Sequence, residues 1–427
     1  MDQRPGPDPC RVSRAALPFL DAAPVAEQDD PGPAMTTKTA PATTSPLDVA
    51  RALAPRIRAR ADEIEAARQL PKDLVMDLAN AGLFKVAVAE AEGGHGADIL
   101  TTLRVIEEVA QADGSAGWCV AMGINTFRQS AQLAPEVRRE IFHSDPVGVS
   151  AGSANPRGRA VAVPGGYRVT GHWFFASGCM HSSALHGACK VFDGDSPRLR
   201  PTGDQEVRIA FFYPKSLARI VDTWNVSGMR GTGSHDIEVD DLFVPEERTF
   251  SAAERRARVT GPMNRMHGFD LAGCGFCCVG LGVARAAIDA FVELANMKVP
   301  RGSSELLRDR AVVQAQVGEA EAVLRSGRAL LFDVVEEMWQ TVLAAQPITE
   351  RQRADLRLAM THAAQSAAKA THMVCAAAGT TSIFMSSPLE RCARDAEVVT
   401  RHNQLQYVNY EAVGRTTLGL ESNSSLF

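Results

Sequence analysis

The sequence predicts a mainly α-helical protein with a β domain in its middle. Three observations predict it. From Pro46 to about 145, apolar residues recur at three and four positions; from about 146 to 250 the period is two; from about 265 the helical period returns in long stripes. These shifts divide the chain into a disordered extension (1–45), a helical domain (46–145), a β domain (146–260) and a helical bundle (261–427).

Each part has a local reason. Residues 1–45 are rich in Pro, Ala, Thr and Asp and bury too little apolar surface to offset the entropy of ordering. Met35 is a candidate alternative start, with the upstream segment an over-extension. LDVARALAPRIRARADEIEAAR reads as one amphipathic helix. Leu70-Pro71 opens another, PKDLVMDLANAGLF, which Gly82 stops. EAEGGHGAD (90–98) is a glycine-rich loop, a helix spans about 99–112, and another begins near Ser115. YRVTGHWFFAS (167–177), RIAFFYP (208–214) and SHDIEVDDLFVP (234–245) read as strands between Gly and Pro punctuation. LAGCGFCCVGLGVARAAIDAFVELANM is built of Gly, Ala and Cys, so neighbouring helices can approach closely. Two further long stripes complete a bundle of four or five helices.

Composition excludes several classes. A 45% hydrophobic, 22% charged chain is an ordinary globular balance. A net charge of -5 offers no bulk attraction to nucleic acid or an anionic membrane. The basic run ERRAR (254–258) reads as a solvated face. No run of about 18 uncharged apolar residues suggests a membrane span. The N-terminus MDQRPGPDPCRV lacks the apolar core of a secretory signal. The nine cysteines form no spaced framework, so reduced thiols in a cytoplasm are expected. Cys274 and Cys277 make one CxxC, but two further zinc ligands are wanting, so helix packing explains them and no metal is expected.

Three stretches could carry chemistry. In HWFFASGCMHSSALHGAC (172–189), aromatics precede Ser177-Gly178, a pattern that could flank a flat cofactor; a β-hairpin with core aromatics accounts for it better on periodicity alone. WNVSGMRGTGSHDIEVDDLFVP (224–245) carries Gly228, Gly231 and Gly233 before a strand. It is no dinucleotide fingerprint, which needs a helix to follow, but its N–H groups and the hydroxyls of Thr232 and Ser234 could hold a phosphate or ribityl chain. In ADGSAGWCVAMGIN (112–125), small residues around Trp118 let a helix lie against something flat; core packing explains Trp118 equally well.

These blocks occur jointly and in order. PKDLVMDLANAGLFKVAVAEAEGGHGAD, ADGSAGW, GGYRVTGHWFFASG, SGMRGTGSHDIEVDDLFVPEER and SSPLERCARD together resemble the acyl-CoA dehydrogenase superfamily over roughly residues 47–420. The resemblance implies an N-terminal helical domain, a middle β-barrel or sandwich domain and a C-terminal four-helix bundle. It also implies a flavin held between the last two, usually in a homotetramer.

The branch is read from RDAEVVTRHNQ (394–404). Many dehydrogenases of this superfamily place a glutamate base eight residues after the Asp; here that position is Asn403, preceded by His402, and Glu411 lies too far along. The Arg-Asp…His spacing, the SG of WFFASG and the RGTGS loop look instead like the oxygenase components of two-component flavin monooxygenases. That branch implies reduced FMN, with FAD the alternative, delivered by a separate NAD(P)H:flavin reductase. A flavin hydroperoxide then hydroxylates an aromatic or polyketide-like molecule.

The same resemblance implies site residues. His402 would be the base or would orient a substrate hydroxyl, since imidazole, near ~6.5, can draw off the proton of a phenol of pKa ~10 as the ring attacks peroxide oxygen. Ser177 would lie near flavin N5, Phe174 against the flavin, and Gly178, Ser153, Thr232 and Ser234 around it. Arg301, after the first bundle helix, would reach a flavin phosphate. Trp118, Asn125 and His402 would line the substrate pocket. His181, His186, His267, His362 and His372 read as structural. The rivals are an acyl-CoA dehydrogenase-like FAD desaturase with a carboxylate base, an N- or S-oxygenating flavin enzyme, and a flavin-fold scaffold without chemistry.

Overall fold

A computed structural model describes residues 44–253, 261–266 and 268–421. The extension 1–43, the basic run ERRAR and His267 lie outside the described residues.

Six helices come first: α1 (Pro46–Ala59), α2 (Ala61–Ala67), α3 (Lys72–Asn80), α4 (Ile99–Ala112), α5 (Gly114–Gln129) and α6 (Pro135–Phe142). Their starts follow capping chemistry. Ser45, Asp98 and Asp113 each accept a backbone N–H from the first turn of α1, α4 and α5, and Pro46 occupies an early position where no N–H is needed. The single helix expected over 47–68 is broken at Arg60, which leaves helical geometry at φ -102, ψ 3. Its guanidinium there reaches Asp73 of α3 at 2.7 Å and also pairs with Glu63.

The strands are β1 (Ser150–Val163), β2 (Gly166–Trp173), β3 (Ala184–Asp193), β4 (Ser196–Pro197), β5 (Val207–Phe212), β6 (Arg219–Val221), β7 (Asp236–Pro245) and β8 (Thr249–Ser251). They form one sheet in the order β6-β7-β2-β1-β3-β5-β8, with β4 beside β3. Only the β1–β3 pairing is parallel; the other pairings are antiparallel. The expected strand over 167–177 ends early, at Trp173. Phe175 takes a left-handed φ of 63, which no strand accommodates. The following segment docks on the loop before β7: Ala176 N donates to His235 O at 3.0 Å and Gly178 N to Thr232 O at 2.9 Å. Residues 172–189 are therefore no hairpin, because β2 pairs with β1 and β7 while β3 pairs with β1, β4 and β5.

Helices then return as α7 (Pro262–Arg265), α8 (Gly268–Met297), α9 (Ala311–Leu343), α10 (Glu350–Ala378), α11 (Pro388–Thr400) and α12 (Asn409–Thr417). Buried side chains from α1 through α5 and from α8 through α11 form one continuous core, while the sheet keeps its own around Trp173 and Phe212. Helix α8 is the axis of the helical part, packing on α4, α5, α10 and α11. By length and composition it could cross a membrane, yet 89% of its most apolar window is buried inside this core. Cys274, Cys277 and Cys278 lie within it, and Cys277 donates its thiol to Met360 O at 3.2 Å.

Glycines set the helix spacing. A Cβ at Gly282 of α8 would stand 2.4 Å from Glu107 O and 2.8 Å from the Ala110 Cβ of α4. Close by, Arg328 of α9 grips Glu107 through both of its oxygens, at 2.7 and 2.9 Å. Gly282→Leu is expected to push α4 off α8 and lower stability by about 2–3 kcal/mol, the usual range for overpacking. Denaturant unfolding checks this; an unchanged midpoint would show that the contact is slack.

Candidate functional site

The site lies where α5, the loop between β6 and β7, the turn after β2 and the end of α11 converge. α5 begins at Asp113, whose carboxylate accepts Ala116 N at 2.8 Å. One turn further, Trp118 stands half-buried and lies flat on Phe276 of α8, with ring centroids 4.2 Å apart and planes 10° from parallel. His402, just past the end of α11, meets both rings, 5.9 Å from Trp118 and 4.6 Å from Phe276. The three rings make an apolar wall.

A row of hydroxyls faces this wall. Trp118 Nε1–H donates to Ser177 Oγ at 3.1 Å. Ser177 Oγ is 2.7 Å from Ser234 Oγ, which is 2.7 Å from Thr232 Oγ1. Thr232 Oγ1 in turn donates to Met229 O at 2.8 Å. All three hydroxyl residues are buried. Gly178 follows Ser177 at φ 78, where a Cβ would press on His181 at 2.9 Å, so the turn that carries Ser177 favours glycine there.

Electrostatics set the state of His402. Burial pushes its imidazole down to about 4, and the positive charge of Arg357 pushes the same way. The ring is therefore neutral near pH 7 and can accept a proton. Gln404 N already points at its Nδ1, 3.4 Å away. Asn403, at the position where dehydrogenases carry glutamate, is exposed.

The other expected residues fall in different places. Asn125, two turns after Trp118 on α5, is buried with Oδ1 lacking a hydrogen-bond partner among the described residues. Phe174 is half-buried beneath the Arg157 guanidinium, 4.1 Å from its ring centroid. Its neighbour Phe175 is 67% exposed, with its ring edge toward Trp224. A large apolar ring shown to solvent from a strained backbone is an arrangement that persists when something else covers the ring. Ser153 sits in β1 beside the bulge and accepts Asn155 N at 3.3 Å, outside the hydroxyl row. Arg301 stands exposed in the turn after α8 and takes no part in the hydrogen bonds of this row. His186 bonds Ser150 at 2.7 Å inside the sheet, a structural histidine.

Sequence reasoning missed Phe276 and Phe175. Phe276 had a signal: it is the one large ring in AGCGFCCVGLG, where the small residues beside it leave room for a flat partner. Nothing in HWFFASG distinguishes Phe175 from Phe174 except the backbone turn that the structure reveals.

The residues present fit a flavin. Hydroxyls can donate to or accept from a ring nitrogen or carbonyl as needed, and Phe175 offers a flat exposed face. Ser177, Ser234, Thr232 and the two phenylalanines are the groups that would hold it.

Comparison with known proteins follows this geometry. The acyl-CoA dehydrogenase N-terminal domain model matches residues 47–133, and the acyl-CoA dehydrogenase C-terminal domain model matches residues 274–407. The chain is 35% identical over 365 residues to an indole-3-acetate monooxygenase of Pseudomonas putida, covering 85% of this chain and 91% of that one. It is 28% identical over 361 residues to the flavin-dependent monooxygenase oxygenase subunit HsaA of Rhodococcus jostii, covering 82% and 92%. The crystal structure of the HsaA monooxygenase from M. tuberculosis superposes with a TM-score of 0.81 at 26% identity, covering 90% of this chain and 99% of that one.

One consequence can be checked directly. The His402 resonance in a histidine-labelled NMR spectrum, assigned by its loss in His402→Gln, is expected to hold still between pH 8 and pH 5.5. Movement with a midpoint near the ordinary ~6.5 would show an imidazole in contact with water.

Proposed function

The chain belongs to the acyl-CoA dehydrogenase family, in its flavin-dependent monooxygenase branch, and we propose that it hydroxylates an indole- or phenol-type ring held between His402 and Asn125. It is the oxygenase component of a two-component system and depends on a separate flavin reductase. Reduced FMN is the proposed cofactor, with FADH2 the competing form; the ring-facing hydroxyls treat the two alike, since both carry the same ring. NAD(P)H as the reductase's electron source, a cytoplasmic setting and a homotetramer complete the proposal. Association of copies is supported by Ile383, Phe384 and Met385, three consecutive exposed apolar side chains in the turn before α11.

The observation that carries the reading is the wall of Trp118, Phe276 and His402, tied to the Ser177 hydroxyl through Trp118. Bound reduced flavin supplies the reaction with molecular oxygen. The protein's own part is to exclude water and move one proton. The ring wall is apolar, which keeps water from the reacting atoms. His402 is neutral, so its ring accepts the proton that a phenol or indole loses as its ring carbon attacks the oxygen to be transferred. Ser177 would offer its hydroxyl to the flavin ring, with its oxygen fixed by Trp118. Asn125 Oδ1 is free to accept a hydrogen bond from a second polar group of the substrate. A dehydrogenase would need a carboxylate base, and the charge bearing on His402 is that of Arg357 instead.

Stopped-flow absorbance tests the reading. Protein with anaerobically reduced FMN is mixed with oxygenated buffer in the absence of substrate. A long-lived absorbance distinct from oxidised flavin is expected. Return to oxidised flavin at the protein-free rate would sink the proposal, and bleaching of oxidised flavin by an acyl-CoA would favour the desaturase. In the same assay Ser177→Ala is expected to shorten that species several-fold and release more hydrogen peroxide; an unchanged lifetime would remove Ser177 from the site. His402→Ala is expected to slow hydroxylation by about 100-fold or more with flavin affinity kept, the usual scale for losing a general base. Full coupled turnover would show that His402 is not that base.

A further inference from the structure

Asp395 of α11 is buried and aims a carboxylate oxygen away from its own helix. Oδ1 accepts the backbone N–H of Met229. Oδ2 lies 3.2 Å from where a Cβ of Gly114 would stand, so the start of α5 rests against the carboxyl. Met229 is the hinge of the hydroxyl loop. It has a left-handed φ of 53, and its carbonyl accepts three hydrogen bonds, from Thr232 N, Thr232 Oγ1 and Trp224 Nε1. Gly228, just before it, is packed so closely that a Cβ would be 2.4 Å from Arg394 O. One side chain thus ties together the helix that leads to His402, the loop that carries Thr232 and Ser234, and the helix that carries Trp118.

We propose that Asp395 is a positioning residue for the oxygenation site, holding Met229 in its strained conformation and thereby setting the Thr232–Ser234–Ser177 hydroxyl row against Trp118. This rests on the monooxygenase reading. A left-handed methionine needs an outside anchor, because its backbone conformation is strained. The hydrogen bond that Asp395 Oδ1 accepts from Met229 N–H, buried away from water, supplies that anchor. The surroundings agree with a structural acid rather than a surface ion pair. Burial pushes Asp395 up to about 7, and Asp113, at the head of α5, up to about 6. Facing the pair are Glu65 of α2 and Arg391 and Arg394 of α11; Arg394 is held by Glu65 and by Glu390 at 2.7 Å each, and Arg391 by Asp62 at 2.7 Å. These arginines are occupied by those carboxylates, which leaves Asp395 to the Met229 amide.

Amide exchange of the ligand-free protein tests the anchor without any flavin. In Asp395→Leu, exchange over 228–234 is expected to rise about tenfold or more, with α9 unchanged. Asp395→Asn, which keeps an acceptor oxygen, is expected to stay within about twofold of the wild type. With reduced FMN, oxygen and indole as the probe substrate, Asp395→Leu is expected to release about fivefold more hydrogen peroxide per product, and Asp395→Asn to restore the coupling. Wild-type protection in Asp395→Leu, or exchange in Asp395→Asn as fast as in Asp395→Leu, overturns the proposal. So does a loosened loop with unchanged coupling. If Asp395→Leu does not fold, Asp395→Glu decides, since its displaced acceptor should loosen the same segment; full protection there overturns it. A wild type that forms no product refutes the monooxygenase reading, while the exchange data still decide the anchor.

Discussion

The close approach of α4 to α8 is the constraint on which the rest of the structure depends. It is possible because Gly282 of α8 lies against the α4 backbone, where a Cβ would stand 2.4 Å from Glu107 O. With that spacing set, helices far apart in the chain share one core. A second close approach, of α5 to α8, sets the site: Gly114 of α5 faces Val283 of α8, and Gly275 of α8 faces Ala121 of α5. Phe276 emerges from a run of small residues on α8, and only a helix lying close by could bring Trp118 flat onto its ring. The ring wall of the site is thus a by-product of how tightly the helices pack.

Helix and bundle were the most legible parts of the sequence. Their apolar stripes are local and long, and caps such as Asp98 and Asp113 stand where capping chemistry wants them. The sheet was less legible. β1 carries Gly152, Pro156 and Gly158, which interrupt its alternation, and it pairs in parallel with β3, a non-local partner that no turn signal announces. Arg60 broke a helix whose pattern ran straight through it, because its tie to Asp73 lies in another helix. Phe175 left its strand because of a backbone angle that phenylalanine does not favour and that only tertiary contact imposes.

The site shows the same division. Ser177, Thr232 and Ser234 were legible as hydroxyls near glycines, although 55 residues of chain and several strands separate the two motifs, and the structure joins them in one row. Trp118 and His402, read on separate grounds, share one wall. Ser153 and Arg301 came from pattern matching alone, and neither is drawn into that row. Asp395 was visible as half of an Arg-Asp pair used to find His402. Its hold on Met229, 166 residues away, has no local signature.

The hydroxyl row also has a direction, which follows from counting protons. Thr232 gives its proton to Met229 O, so in the contact with Ser234 it can only accept. Ser234 must then give its proton to Thr232, and in the contact with Ser177 it can only accept. Ser177, which already receives Trp118 Nε1–H, therefore gives its proton to Ser234. Every bond in the row points the same way, an arrangement in which each polarises the next. For Ser177 to donate to a flavin atom instead, it need only turn its proton away from Ser234, at a cost of about 1 kcal/mol for one neutral hydrogen bond. Its oxygen does not move, because Trp118 holds it. The row thus offers a donor that is fixed in place yet free in direction, and it can be so only while the loop carrying Thr232 and Ser234 stays anchored.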